Sequence, residues 1–240
     1  MTARLHGHGE AVAAFAAALA GGALHHAWLL AGPPGIGKAL FARLAAARFL
    51  AEGAGPAPAG EGLELAPDHP TARLVAAGSH PDLMLLERLP RDKKLAAGPK
   101  SEWPGDAELA RNISIAQVRS LHRLFDTTPS LSPRRAVIVD SIDDLERPAA
   151  NALLKNLEEP PPESLFLLVS HAPQRLLPTI RSRCRLLRMK PLAEAEMKAA
   201  LADALPEADA AEIEALAAAG EGAPGRALAW RGLDIAALDR

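Results

Sequence analysis

Cysteine is almost missing from this chain: of 240 residues, only Cys184 carries a thiol. That excludes an internal disulfide and any cysteine-based zinc site. It suits a reducing compartment, so a cytoplasmic location is expected. Tyrosine is absent and aromatics are 3% of the residues, which leaves alanine and leucine to fill the core. The formal net charge is −2, too small for a global pull toward nucleic acid or an anionic membrane. Any DNA contact has to come from a local patch. No window supplies the ~20 apolar residues of a membrane span. What is present is hydrophobic enough, at 49%, to fold around a core. The length suffices for one large domain and a smaller one.

The stretch that most resembles a long apolar run is N-terminal, where Arg4 precedes AVAAFAAALAGGA. It mimics a secretory signal. It also reads as an amphipathic helix with Val12, Phe15 and Leu19 on one face, ended by Gly21-Gly22. Glu10 opens the stretch and alanine is a poor signal core, so the helix is the expectation.

Residues 29–40, LLAGPPGIGKAL, organise the rest. An apolar strand, Trp28-Leu29-Leu30, runs into Gly32-Pro33-Pro34-Gly35-Ile36-Gly37-Lys38, and a helical pattern follows from Leu40. Strand, glycine loop and helix in that order make a phosphate-binding P-loop. The glycines turn backbone N–H groups around an anion, and the helix N-terminus adds its positive dipole end. Lys38 would reach the outer phosphates. Of the pattern G-x-x-x-x-G-K-[S/T] only the final hydroxyl, a Mg²⁺ handle, is missing, replaced by Ala39.

Beyond a helix over residues 40–50, residues 51–66 turn to Gly, Pro and Ala and read as a loop. Asp68, His69, His80 and Asp82 follow no metal-ligand spacing, and no metal site is expected. Residues 82–86 (DLMLL) read as a strand. Pro90, Pro99 and Pro104 break residues 87–111, where Lys93, Lys94 and Lys100 could touch phosphates but are expected on a solvated loop. Ser114 with Gln117 forms a capping-box pair that predicts a helix from Ile115 to Phe125. Residues 136–139 form a β-branched run ending at Asp140. Pro148 opens a helix that the prolines at 160–162 stop. Strands over 165–170 and 185–189 and a turn or helix over 178–183 complete an α/β pattern. Strands alternating with helices predict a mostly parallel sheet covered on both faces. Beyond Pro191 only helices are expected: 194–205, 207–219 and 226–238. The organisation read here is a P-loop nucleotide-binding-like domain over 1–190 and a small all-helical lid over 191–240.

A P-loop ATPase holds Mg²⁺ with an acid at the end of a second strand, and a neighbouring carboxylate orients the attacking water. Asp140 suits the first task, but the next residue is Ser141 instead of a glutamate. Asp143 and Asp144 are read as opening the next helix. With Ala39 and Ser141 both replacing catalytic groups, each typically worth orders of magnitude, no useful hydrolysis is expected. Weak or vestigial ATP or ADP binding remains open.

Residues 165–184, LFLLVSHAPQRLLPTIRSRC, carry a family signature. Together with HHAWLLAGPPGIGKA at 25–39, HPDL at 80–83, IVDSIDDLERPAANALLKNLEEPP at 138–161 and GAPGRAL at 222–228, they resemble the clamp-loader branch of the AAA+ ATPases. The resemblance covers about residues 5 to 230 in the right order, and it is narrowest to the bacterial DNA polymerase III complex. It implies membership in an assembly with motor subunits (tau/gamma) and a delta subunit, acting on a sliding clamp and primed DNA. It also implies that the SRC arginine, Arg183, acts in trans as an arginine finger on a neighbour's γ-phosphate. A planar fixed cation suits that task. Taken alone, the residue reads first as an arginine paired with a surface acid; the SRC triplet and its context favour the finger, with Arg181 as an understudy. Cys184 is expected to pack, with no base to activate it. Ser170 stands where the family places its sensor 1 residue and Arg226 where it places sensor 2. Both either read phosphate or brace the interface between sheet and lid. The resemblance brings two departures. Many relatives carry a four-cysteine zinc module after the P-loop helix, and residues 51–79 contain no cysteine, so no zinc is expected. Relatives also continue into a helical collar domain, which this sequence, ending at Arg240, does not include.

Overall fold

The computed structural model describes residues 4–231 apart from 57, 59, 61 and 99. Five strands, β1 (Ala27–Ala31), β2 (Leu83–Glu87), β3 (Arg135–Asp140), β4 (Ser164–Ser170) and β5 (Arg185–Arg188), form one sheet. Their order is β2-β3-β4-β1-β5, and every pairing is parallel. The helices are α1 (Gly9–Ala20), α2 (Lys38–Ala54), α3 (Pro70–Ala76), α4 (Lys93–Ala97), α5 (Ile115–Arg119), α6 (Leu121–Phe125), α7 (Arg147–Glu158), α8 (Pro178–Arg181), α9 (Glu194–Ala204), α10 (Ala210–Gly220) and α11 (Pro224–Trp230). None in the described residues is long and apolar enough to cross a membrane.

The core shows why the strands read as unbroken apolar runs. Alternate residues of the three central strands, β1, β3 and β4, enter opposite layers, as the period of two requires. Trp28, Leu30, Ile138, Leu167 and Val169 pack with α1, α2 and the C-terminal helices. Leu29, Val137, Val139, Phe166 and Leu168 pack with α5, α6 and α7. With few aromatics available, three cluster: the Phe15 ring lies 5.1 Å from Trp28 and edge-on to Phe41 at 6.0 Å. The N-terminal amphipathic reading therefore holds, with Phe15 and Leu19 buried on α1.

Several local expectations need correction. α2 runs on to Ala54, into the stretch expected to be loop, because Arg48 pairs with Glu52 one turn on at 2.7 Å. Residues 87–111 hold a helix after all: the Asp92 carboxylate accepts from the Lys94 N–H and starts α4. The helix expected over 115–125 is two short ones meeting at Ser120, whose hydroxyl donates to the Gln117 carbonyl at 2.6 Å. The capping box at its start forms as read. His69 and His80 have backbone tasks, accepting from the N–H groups of Thr71 and Asp82. Asp82 in turn accepts from the N–H groups of Ser130, Leu131 and Ser132, fixing the approach to β3. The last helix ends at Trp230, and the remainder of its expected span, from 232, lies outside the described residues.

Candidate functional site

Because the sheet is parallel, the carboxyl ends of its strands share one edge, the place where open α/β sheets hold ligands. The register aligns Ala31 with Ser170 and Asp140 with Val169. Thus the loop after β1, the acid ending β3 and the hydroxyl ending β4 meet. Gly32, Pro33, Gly35, Ile36, Gly37, Lys38, Ala39, Asp140 and Ser170 all lie at this edge, although Ser170 is fully buried and does not line its cavity. Gly35 and Gly37 take positive φ, 79° and 101°, which a side chain would strain. Gly37 leads directly into α2.

The loop is folded onto its own lysine. Lys38 is 2% exposed. Its Nζ donates to the Gly32 carbonyl at 2.7 Å and to the Pro33 carbonyl. Burial pulls its pKa down to about 8, against the opposing pull of Asp140 and Asp143. An arriving phosphate has to compete with those carbonyls for the ammonium. Beside Ala39 lies a cavity of about 400 Å³, lined largely by apolar groups such as Ile36, Leu40, Leu192, Ala200 and Leu228. The N-terminal segment straps its rim: His8 Nε2 donates to the Ile36 carbonyl at 2.7 Å and His6 pairs with Asp203 of α9 at 2.7 Å. The residues present fit a phosphate in part and a metal poorly, since Ala39 offers no oxygen. Among the described residues no cluster of three metal-ligating side chains occurs.

Lys38 gives a testable pH dependence. Below pH 8 folded and unfolded chains both hold its proton, and the burial penalty acts in full. Above about 10.5 neither holds it, and in between the unfolded chain binds more protons. Stability should therefore rise with pH across that window relative to a Lys38→Met variant. Denaturant unfolding of both proteins at about pH 7 and about pH 10 checks it, and a constant difference would refute a desolvated ammonium.

The polar centre of this edge is a residue assigned elsewhere from the sequence. Asp143 does not open α7; it accepts from Ser170 Oγ at 3.0 Å, Ser141 Oγ at 2.9 Å, His171 N at 2.6 Å and Ala172 N at 3.2 Å. Burial would raise its pKa, but these four donors outweigh it and hold the carboxyl below its ordinary value. Ser170, fully buried, is thereby committed to the protein's own acid. His171 reaches the cavity, and burial together with the nearby Lys38 keeps its pKa below the ordinary histidine value.

Two expected site residues stand apart. The Arg226 guanidinium is not part of the cavity lining: it donates to the Gly220 carbonyl at 3.0 Å, pairs with Glu221 and lies over the Trp230 ring. What reaches the P-loop from α11 is backbone. The Gly225 N–H donates to the Gly35 carbonyl at 2.8 Å, and a Cβ on Gly35 would meet Arg226 N at 2.9 Å. Arg183, in the turn from α8 to β5, is also absent from the cavity. Its Nη2 pairs with Glu158 at 2.8 Å and its Nη1 donates to the Thr179 carbonyl at 2.9 Å. The Arg183 side chain stays 34% exposed and that of Glu158 47%. Cys184 next door is pushed up to about 12 by burial, an inert thiol.

Comparison with known proteins shows the family. Residues 7–193 match the family described as DNA polymerase III, delta subunit. Over 208 residues the chain is 40% identical to the DNA polymerase III subunit delta' of Pseudomonas aeruginosa, spanning 86% of this chain and 56% of that one. The chain belongs to the delta-prime clamp-loader family. It is also 30% identical over 238 residues to the DNA polymerase III subunit tau of Escherichia coli, 97% of this chain and 33% of that one. The chain thus spans about half the length of its delta-prime relative. Among solved structures, the RuvB Holliday junction branch migration motor of Thermotoga maritima superposes with a TM-score of 0.54 at 17% identity, over 95% of this chain and 63% of that one. At that identity the likeness is one of fold, and it agrees with an AAA+ architecture.

Proposed function

We propose that this chain is the delta-prime subunit of a DNA polymerase III clamp loader. In this reading it helps open a sliding clamp and place it on primed DNA, in a complex with tau/gamma motor subunits and a delta subunit. Its chemistry is lent to a neighbour: Arg183 stabilises the charge that develops on a γ-phosphate bound next door. Its own loop is a brace, with ATP or ADP held weakly or not at all.

The observation that carries this is the combination at one sheet edge of a glycine loop with Ala39, Ser141 in place of a carboxylate, and Lys38 committed to loop carbonyls. A P-loop whose magnesium handle and base are both replaced is poorly built for turnover. The partly exposed guanidinium in the SRC turn, away from this loop, suits service to another subunit. The relatives named delta' and tau support membership in such a complex.

Purified full-length protein tests the first half. It is expected to show no Mg²⁺-dependent ATP turnover above that of a Lys38→Ala variant. Brisk turnover that vanishes with Lys38→Ala would establish an autonomous ATPase instead. For the second half, a complex assembled without this chain should fail to load clamps onto primed DNA, and full loading in its absence would remove the role.

A further inference from the structure

The Arg183 head sits on a tight turn, where two close polar contacts and a longer one from Nη1 to Ser182 Oγ at 3.5 Å fix its direction. One, to the Thr179 carbonyl, is local. The other goes to Glu158, the last residue of α7, 2.8 Å from Nη2. A guanidinium has five N–H donors. With donors turned to Thr179, Ser182 and Glu158, about two remain for an incoming anion. The carboxylate therefore orients the cation without consuming it. Both side chains are partly exposed, so a neighbour can reach the pair. The C-terminal end of α7, with its partial negative charge, favours a cation at the same spot.

We infer that Glu158 is a positioning residue for Arg183: it holds the guanidinium in one orientation before the neighbouring triphosphate arrives, so that less side-chain freedom is lost on engagement. The inference rests on the reading that Arg183 serves a neighbour's ATP. A free arginine gives up substantial rotamer entropy when it is fixed, and an ion pair already in place meets part of that cost beforehand. Glu158 touches neither nucleotide nor metal, so its effect passes entirely through Arg183.

The test uses full-length protein in the reconstituted complex, with kcat and KM for ATP measured for Glu158→Gln, Arg183→Ala and the double variant. Glu158→Gln should lower kcat about threefold to fivefold with KM unchanged, the range set by a surface ion pair at its strongest. In the Arg183→Ala background the Glu158→Gln change should add nothing, and Glu158→Asp, which keeps the charge, should recover part of the loss. If Arg183→Ala collapses turnover while Glu158→Gln leaves it unchanged or raises it, the positioning role is refuted and the finger stands. If Glu158→Gln still slows the Arg183→Ala complex, Glu158 acts structurally and the inference fails. If Arg183→Ala itself changes nothing, the finger reading falls and takes this inference with it.

Discussion

A complex rebuilt with Arg183→Ala is expected to hydrolyse ATP about 10³-fold or more slowly at the site this chain abuts, the lower end of what an arginine finger supplies. The loss arises because the phosphoryl group spreads its charge in the transition state, and a planar cation aimed there costs little reorganisation. Arg183→Lys should recover little, since an ammonium cannot reproduce the fork. The protein should stay folded throughout. The bond to Glu158 is a partly exposed ion pair, and such pairs contribute about 0–1 kcal/mol. Single-turnover hydrolysis in the complex, paired with thermal melts of the isolated chain, separates the two effects. Unchanged hydrolysis would leave the chain a scaffold with no role at any ATP site.

The second large effect concerns stability. Asp143→Ala removes the acceptor for two hydroxyls and two backbone N–H groups. Ser170, with no exposure at all, would keep a hydroxyl with no partner. Hydrogen bonds to a charged group are worth about 1.5–3 kcal/mol each and buried orphans are costly, so a loss of about 3–5 kcal/mol is expected. That is a large fraction of a typical folding free energy, and it should appear as a drop of about 1–2 M in the urea midpoint. Because its carboxyl is held below the ordinary 3.8, the Asp143 contribution is complete above that value. It is lost only as pH falls through the lower folded pKa. The gap between wild type and Asp143→Asn should therefore hold steady down to about pH 4 and close below it. A gap that closes nearer neutrality, or a midpoint that barely moves, would show that the four contacts do not act as described.

Asp143 also marks where reading the sequence stopped short. Its partners Ser170, His171 and Ala172 lie 27 to 29 residues away, and nothing local distinguishes this acid from one that opens a helix. Asp82 is similar, capping N–H groups 48 to 50 residues on. Elements whose cause is local were legible. The buried runs of β1, β3 and β4, the glycine loop, the Ser114–Gln117 box and the helix carrying Phe15 all appear within a few residues of their expected bounds. Two further features did have local signals. Arg48 and Glu52, one turn apart, announce that α2 continues beyond its expected end, and Glu221 and Trp230 flank Arg226 closely enough to hold its guanidinium. The pairing of Arg183 with Glu158 had none, since it depends on how α7 packs beside α8.

Between α11 and the P-loop a side chain fits badly at either glycine: a Cβ on Gly35 would stand 2.9 Å from Arg226 N, and one on Gly225 3.0 Å from Gly35 Cα. Main chain rests on main chain there, joined by a 2.8 Å hydrogen bond. A hinge at that seam would have to pull a pair of peptide units apart before any swing could begin. The C-terminal helices are accordingly seated on the P-loop through main chain, so a side chain introduced at either glycine would act as a wedge between them.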